Sequence, residues 1–126
     1  MAVNYNATLK SARMAAVIAA VDGGSGAGTL EICTAAYASV LATITLADPS
    51  FTEAAGVITM AGVPRSDSAA DATGTAAVAR IKDSTGTVVI SGLTVGAGSG
   101  DIQLSSTSIS TGQTVSITAG TITHSA

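Results

Sequence analysis

At 126 residues the chain has room for one domain and no second core. Only 10% of its residues are charged, the net charge is −3 and aromatic residues make up 2%, which weighs against both a cationic nucleic-acid surface and an aromatic-lined sugar site. The five basic residues, Lys10, Arg13, Arg65, Arg80 and Lys82, are scattered, whereas phosphate neutralisation needs clustered cations.

Mean hydropathy is high at +0.54, yet the longest uninterrupted apolar run, Met14 to Val21, falls well short of the roughly 18 residues of a spanning helix. A secretory leader is the nearer rival, with Lys10 and Arg13 ahead of that run, but the run is rich in Ala and holds no Leu, and we expect it to be retained. Many residues are Ala, Gly, Ser and Thr, each contributing little apolar area, so the isolated monomer is expected to be thinly stable. Copies of itself or other proteins are expected to cover part of its exterior.

Residues 1–28 are predicted to form an N-terminal arm, a helix and a glycine linker, and residues 29–126 a β domain. The helix is expected from about Thr8 to Asp22, with Asn6 or Thr8 as N-cap, because Met14, Val17, Ile18 and Val21 repeat with helical spacing. Gly23 and Gly24 are expected to end it in the left-handed conformation, and Ser25 to Gly28 to continue as a flexible connection. From Leu30 the period changes to two. Leu30 and Ile32 alternate with Glu31 and Cys33, and Val40, Ala42, Ile44 and Leu46 with Thr43 and Thr45, up to a turn at Asp48-Pro49-Ser50.

Further strands are expected at 56–61, 75–82, 87–95, 101–104 and 114–123, with Gly120 marking a bulge in the last. The polar, Asp/Ala-rich stretch from Arg65 to Gly74 reads as a long loop. About seven short strands after one helix predict a mainly β fold, an antiparallel β-sandwich or small barrel.

The residues that carry chemistry are sparse. His124 is the lone histidine, and no Ser sits in a nucleophile-elbow context, so no catalytic residues are assigned and the chain is expected not to be an enzyme. The Gly23–Gly28 run follows a helix and precedes a strand, the wrong order for cradling phosphate. The single Cys33 is expected to be a small buried apolar residue. Asp67, Asp71, Asp83 and Asp101 are loop carboxylates without the spacing of a calcium loop, and no metal or cofactor is expected.

Several segments together resemble small proteins encoded among the virion genes of tailed bacteriophages and prophages. They are Tyr5-Asn6-Ala7-Thr8-Leu9-Lys10 with Arg13 on the helix, the glycine linker into Leu30-Glu31-Ile32, and Leu41-Ala42-Thr43-Ile44-Thr45-Leu46. Asp48-Pro49-Ser50-Phe51, Ala72-Thr73-Gly74-Thr75-Ala76-Ala77 and Gly112-Gln113-Thr114-Val115 belong to the same likeness. The resemblance spans nearly the whole chain and implies a virion structural role, foremost a decoration (cement) protein on the capsid surface, made in the bacterial host cytoplasm.

Its expected partners are the major capsid protein and copies of itself, in a homo-oligomer or symmetric array, with no direct nucleic-acid or membrane contact. Tyr5, Lys10, Arg13, Arg65, Asp67 and Asp71, in the segments Met1–Lys10 and Arg65–Gly74 and on the helix, are the expected contact residues. A tail-tube or head-completion subunit is the first alternative, and a secreted or surface ligand-binding β module the second.

Overall fold

In a computed structural model of the chain, the structure describes residues 6–23, 26–47, 50–54 and 56–123. Helix α1 spans Ala7–Val21 and starts where the sequence places its cap: Asn6 is extended, and its side-chain oxygen accepts the Leu9 N–H at 2.8 Å. Met14 and Val21 are buried, with Val17 and Ile18 packed beside them, so the predicted stripe is the face that meets the sheet. The ending differs from expectation. Asp22 caps the helix in right-handed geometry, donating its N–H to the Ile18 carbonyl, and Gly23 is not left-handed. Asp22 can hold this place because its carboxylate accepts the Ser50 N–H at 3.1 Å, tying the helix end to a later segment.

Nor is the following connection slack throughout. Gly28 is buried where the end of α1, the start of the first strand and the Lys82 carbonyl converge. Gly24, Ser25 and the start of the expected Asp48-Pro49-Ser50 turn lie outside the described residues.

The β portion begins with β1 (Thr29–Cys33), a single 3-10 turn (Ala35–Tyr37) and β2 (Val40–Thr45). Then come β3 (Phe51–Ala54), β4 (Val57–Met60), β5 (Arg65–Asp67), β6 (Gly74–Thr75), β7 (Val78–Lys82), β8 (Val88–Gly96), β9 (Ile102–Leu104), β10 (Ser108–Ile109) and β11 (Val115–Thr123). Eight strands form one strongly curled half-barrel sheet in the order β2-β1-β7-β8-β9-β11-β4-β3. A ninth, β5, joins through β11, and β10 with β6 makes a small second sheet.

The sheet is mixed, not purely antiparallel as the short strand spacing suggested, because β8 and β9 run parallel through Val95↔Ile102 and Gly96↔Gln103. Parallel neighbours ordinarily need a crossover of about a dozen residues. Here the chain coils back within residues 97–101, with Gly98 and Gly100 at φ 82° and 88°, a conformation that side chains disfavour.

The core is aliphatic. Leu30, Ile32, Leu41, Ile44, Leu46, Ile58, Ile81, Ile102, Ile109 and Ile117 are fully buried, and Phe51 is the one buried aromatic ring among the described residues. The composition is thus sorted: Leu and Ile fill a continuous interior, while Thr43, Thr45, Thr59, Thr118 and Thr121 stand exposed on the same strands. Gly120 holds a different place from the one expected. The irregular pairing falls between Ile117 and Ala119, and Gly120 lies in register with Ile102, where an added Cβ would stand 3.2 Å from both Ile102 Cδ1 and Met60 Cε.

Candidate functional site

Three of the six expected contact residues converge on one seam. The segment read as a long loop contains β5, whose Arg65, Ser66 and Asp67 pair antiparallel with Ile117, Ser116 and Val115 of β11. Beyond β5 the same segment stays zipped to residues 107–113. Ala70 N–H donates to Gln113 O, Gly112 N–H to Ala70 O, Thr111 N–H to the Thr73 hydroxyl, and Ala76 N–H to Thr107 O. Strand β6 pairs with β10 in that stretch, so residues 65–76 form an extended strap rather than a free loop. Nothing in the local pattern marks it, since its partners lie some forty residues later in the chain.

The strap's other side meets the free edge of β2. Asp67 Oδ2 accepts the Thr43 N–H at 3.1 Å, Arg65 Nε donates to the Thr45 carbonyl at 2.7 Å, and Asp71 N–H donates to the Leu41 carbonyl at 2.7 Å. Asp67 Oδ1 also accepts from Ala69 N–H, which fixes the carboxylate in place. Two charged side chains and one backbone bond therefore stand in for a regular ladder across this seam. Arg65 and Asp67 are half-buried, and Asp71 is exposed.

The remaining expected contacts lie elsewhere. Lys10 is half-buried on α1, with its aliphatic stem against Gly56, and Arg13 is exposed on the same helix. Tyr5 lies outside the described residues, as does His124.

A second polar cluster is one that sequence reading did not assemble. Glu31 on β1 stands opposite Arg80 on β7; its carboxylate accepts from Arg80 Nε at 2.6 Å and from Lys82 Nζ at 3.1 Å. The Arg80 guanidinium lies 5.2 Å from the Tyr37 ring centroid. Tyr37 and Ala36 are both left-handed, at φ 57° and 58°, a costly conformation for residues other than glycine. That turn carries the ring back toward β7, and the Tyr37 hydroxyl accepts the Gly92 N–H of β8 at 2.5 Å. Burial pushes the Glu31 carboxyl up, but the hydrogen bonds and charges of Arg80 and Lys82 outweigh it and hold the group below the usual carboxylate range. Burial pushes the neighbouring Cys33 thiol up, and Cys33 is fully enclosed, as its expected apolar role requires. The missing signal was the register: only the pairing of β1 with β7 brings residues 31 and 80 together.

Five of the acidic residues share one habit. Asp22, Glu53, Asp67, Asp83 and Asp101 each accept at least one backbone N–H of this chain, from Ser50, Gly56, Thr43, Thr85 and Thr94 respectively. The Asp83 carboxyl is held below its ordinary value, first by the Thr85 hydroxyl and then by the Thr87 amide. Among the described residues no group of three or more His, Cys, Asp or Glu side chains gathers as a metal site would require, and no cavity opens. No helix among them is long and apolar enough to cross a membrane.

Comparisons of the chain with models of protein families, with curated proteins and with solved structures found no match.

Proposed function

We propose that this chain is a non-enzymatic virion structural protein, a decoration or cement subunit that binds an assembled phage capsid through its exterior and repeats across it. The observation that carries the reading is where the charges go. Carboxylates cap the chain's own turns and strand edges, and Arg65, Arg80 and Lys82 are bound to its own carbonyl or carboxylate oxygens. Much of what remains outward is hydroxyl and methyl: Thr and Ser on the sheet, and Leu9, Ala12, Ala16, Ala19 and Ala20 on α1. Such a surface loses little ionic hydration when another protein covers it, and many weak copies on a symmetric shell gain avidity from repetition.

On this reading α1, whose exposed side chains include Leu9, Ala12, Ala16, Ala19 and Ala20, lies against the shell. The seam also supports the small-barrel form of the fold, with the strap closing β11 onto β2. The test is binding of the purified chain to capsids that lack it, followed by imaging of the decorated particles. Symmetric density on the outer shell is expected. Density in the tail tube, or no binding to any particle, would reject the assignment.

A further inference from the structure

The turn between β1 and β2 is anchored at its base and strained at its tip. Thr34 N–H donates to the Ser39 carbonyl and Ser39 N–H to the Thr34 hydroxyl oxygen, both at 3.0 Å. Below them Cys33 pairs with Val40 and Val78, and its carbonyl accepts the Ala77 N–H. Above them Ala36 stands at φ 58° and ψ 25° and Tyr37 at φ 57°, where two consecutive side chains crowd their own backbone. The Ala38 N–H donates to the Ala35 carbonyl across this tip, and the right-handed form of such a turn makes the same bond without that cost.

What the left-handed form achieves is the delivery of Tyr37. Its ring faces the Arg80 guanidinium of β7, and its hydroxyl takes the Gly92 N–H of β8. That N–H is spare because β8 bulges there: Ala79 pairs with Leu93 and Ile81 with Ile90, which leaves Ser91 and Gly92 together opposite Arg80, with Gly92 at φ 75°. Arg80 is itself fixed through its Nε by Glu31. Two left-handed residues cost about as much as one cation–π contact and one hydrogen bond return, so the turn is close to balance. We infer that residues 35–38 form a two-position element: Tyr37 clamped onto β7 and β8 holds the left-handed form, and without that hold the tip relaxes to the right-handed form and carries the phenol away from Arg80. The element depends on this turn and its two strand partners alone, and stands whether or not the protein decorates a shell.

The experiment compares the wild-type chain with Tyr37→Phe and with Ala36→Gly by NMR. It reads the sign of the Ala36 φ angle from its carbon shifts and its amide-to-Hα coupling, and amide exchange at Gly92, with Leu30 and Ile81 reporting whether the sheet stays intact. In Tyr37→Phe, exchange at Gly92 is expected to rise about tenfold, as any lost bond would allow, and Ala36 to move from left-handed to right-handed values. In Ala36→Gly the left-handed form no longer crowds a side chain, so the clamp is expected to tighten and Gly92 to exchange about threefold more slowly.

A folded Tyr37→Phe protein in which Ala36 stays left-handed overturns the inference, because the conformation would then belong to the turn itself. So does exchange at Gly92 that is unchanged or faster in Ala36→Gly. If Tyr37→Phe loses protection at Leu30 and Ile81, Ala36→Gly alone decides: slower exchange at Gly92 supports the two-position turn, and unchanged or faster exchange overturns it.

Discussion

A single methyl group at Gly28 is expected to unsettle the junction of helix and sheet. A Cβ built there would lie 2.5 Å from the Lys82 carbonyl oxygen, 2.9 Å from that of Val21 and 3.1 Å from Val21 Cγ1. Carbon and oxygen rest comfortably at roughly 3.3 Å or more, so the Lys82 backbone would have to retreat by roughly 0.8 Å. It cannot do so freely, because Lys82 is laddered to both Thr29 and Val88, and the Gly28 carbonyl itself accepts the Leu46 N–H.

Overpacking of this kind costs about 1–3 kcal/mol, and Gly→Ala returns about 0.4–1 kcal/mol through the unfolded chain. A net loss of about 1.3 kcal/mol follows, equivalent to about 4–6 °C in Tm for a domain of this size. Gly26→Ala is the internal control, since nothing stands within 4 Å of its would-be Cβ, and it is expected to be neutral or slightly stabilising. Thermal and urea unfolding followed by circular dichroism measure both. A Gly28→Ala protein as stable as Gly26→Ala would refute the packing argument.

Glu31→Gln tests the β1–β7 cluster through pH. The folded Glu31 carboxyl lies below its unfolded value, so its contribution is present above the ordinary carboxylate range of about 4.3 and is lost as pH falls through the lower folded value. Tm of the wild type is therefore expected to fall more steeply than that of Glu31→Gln on acidification below about pH 5, and parallel curves would count against the cluster. Ser50 is fully buried, and its hydroxyl meets no partner among the described residues. Ser50→Ala is accordingly expected to match or exceed wild-type stability, and a loss beyond about 1 kcal/mol in urea unfolding would reveal a bond not accounted for. Cys33, buried and with its thiol pushed up, is expected to react with a thiol reagent only as fast as the protein unfolds. Labelling at the free-thiol rate under native conditions would contradict its burial.

Much of the architecture was legible locally. Asn6 before the Met14-Val17-Ile18-Val21 stripe marks α1 to within a residue, because a cap and a 3.6-residue period are properties of the segment itself. Alternation likewise marks β1, β2, β4, β7 and β8, whose Leu and Ile side chains point to one interior. Strand β3 is not legible in the sequence, because Phe51-Thr52-Glu53-Ala54 is short and becomes a strand only by pairing with β4. The parallel meeting of β8 with β9 was equally hidden, since short strand spacing says nothing of the direction in which a glycine-rich turn sends the chain.

The candidate site divides along the same line. Composition alone determined that charges are few, that Cys33 forms no disulfide within the chain and that the interior is built from aliphatic residues. Only the tertiary structure decided what the charges do. Arg65 and Asp67 look like solvated loop residues until β11 holds them beside β2, and Glu31 meets Arg80 only through strand register. Periodicity reports which way a side chain faces relative to its own segment, whereas an unpaired strand edge is defined by neighbours distant in sequence. For that reason the strap could be read as a row of polar residues, but its task of closing the sheet appears only once the chain has folded around it.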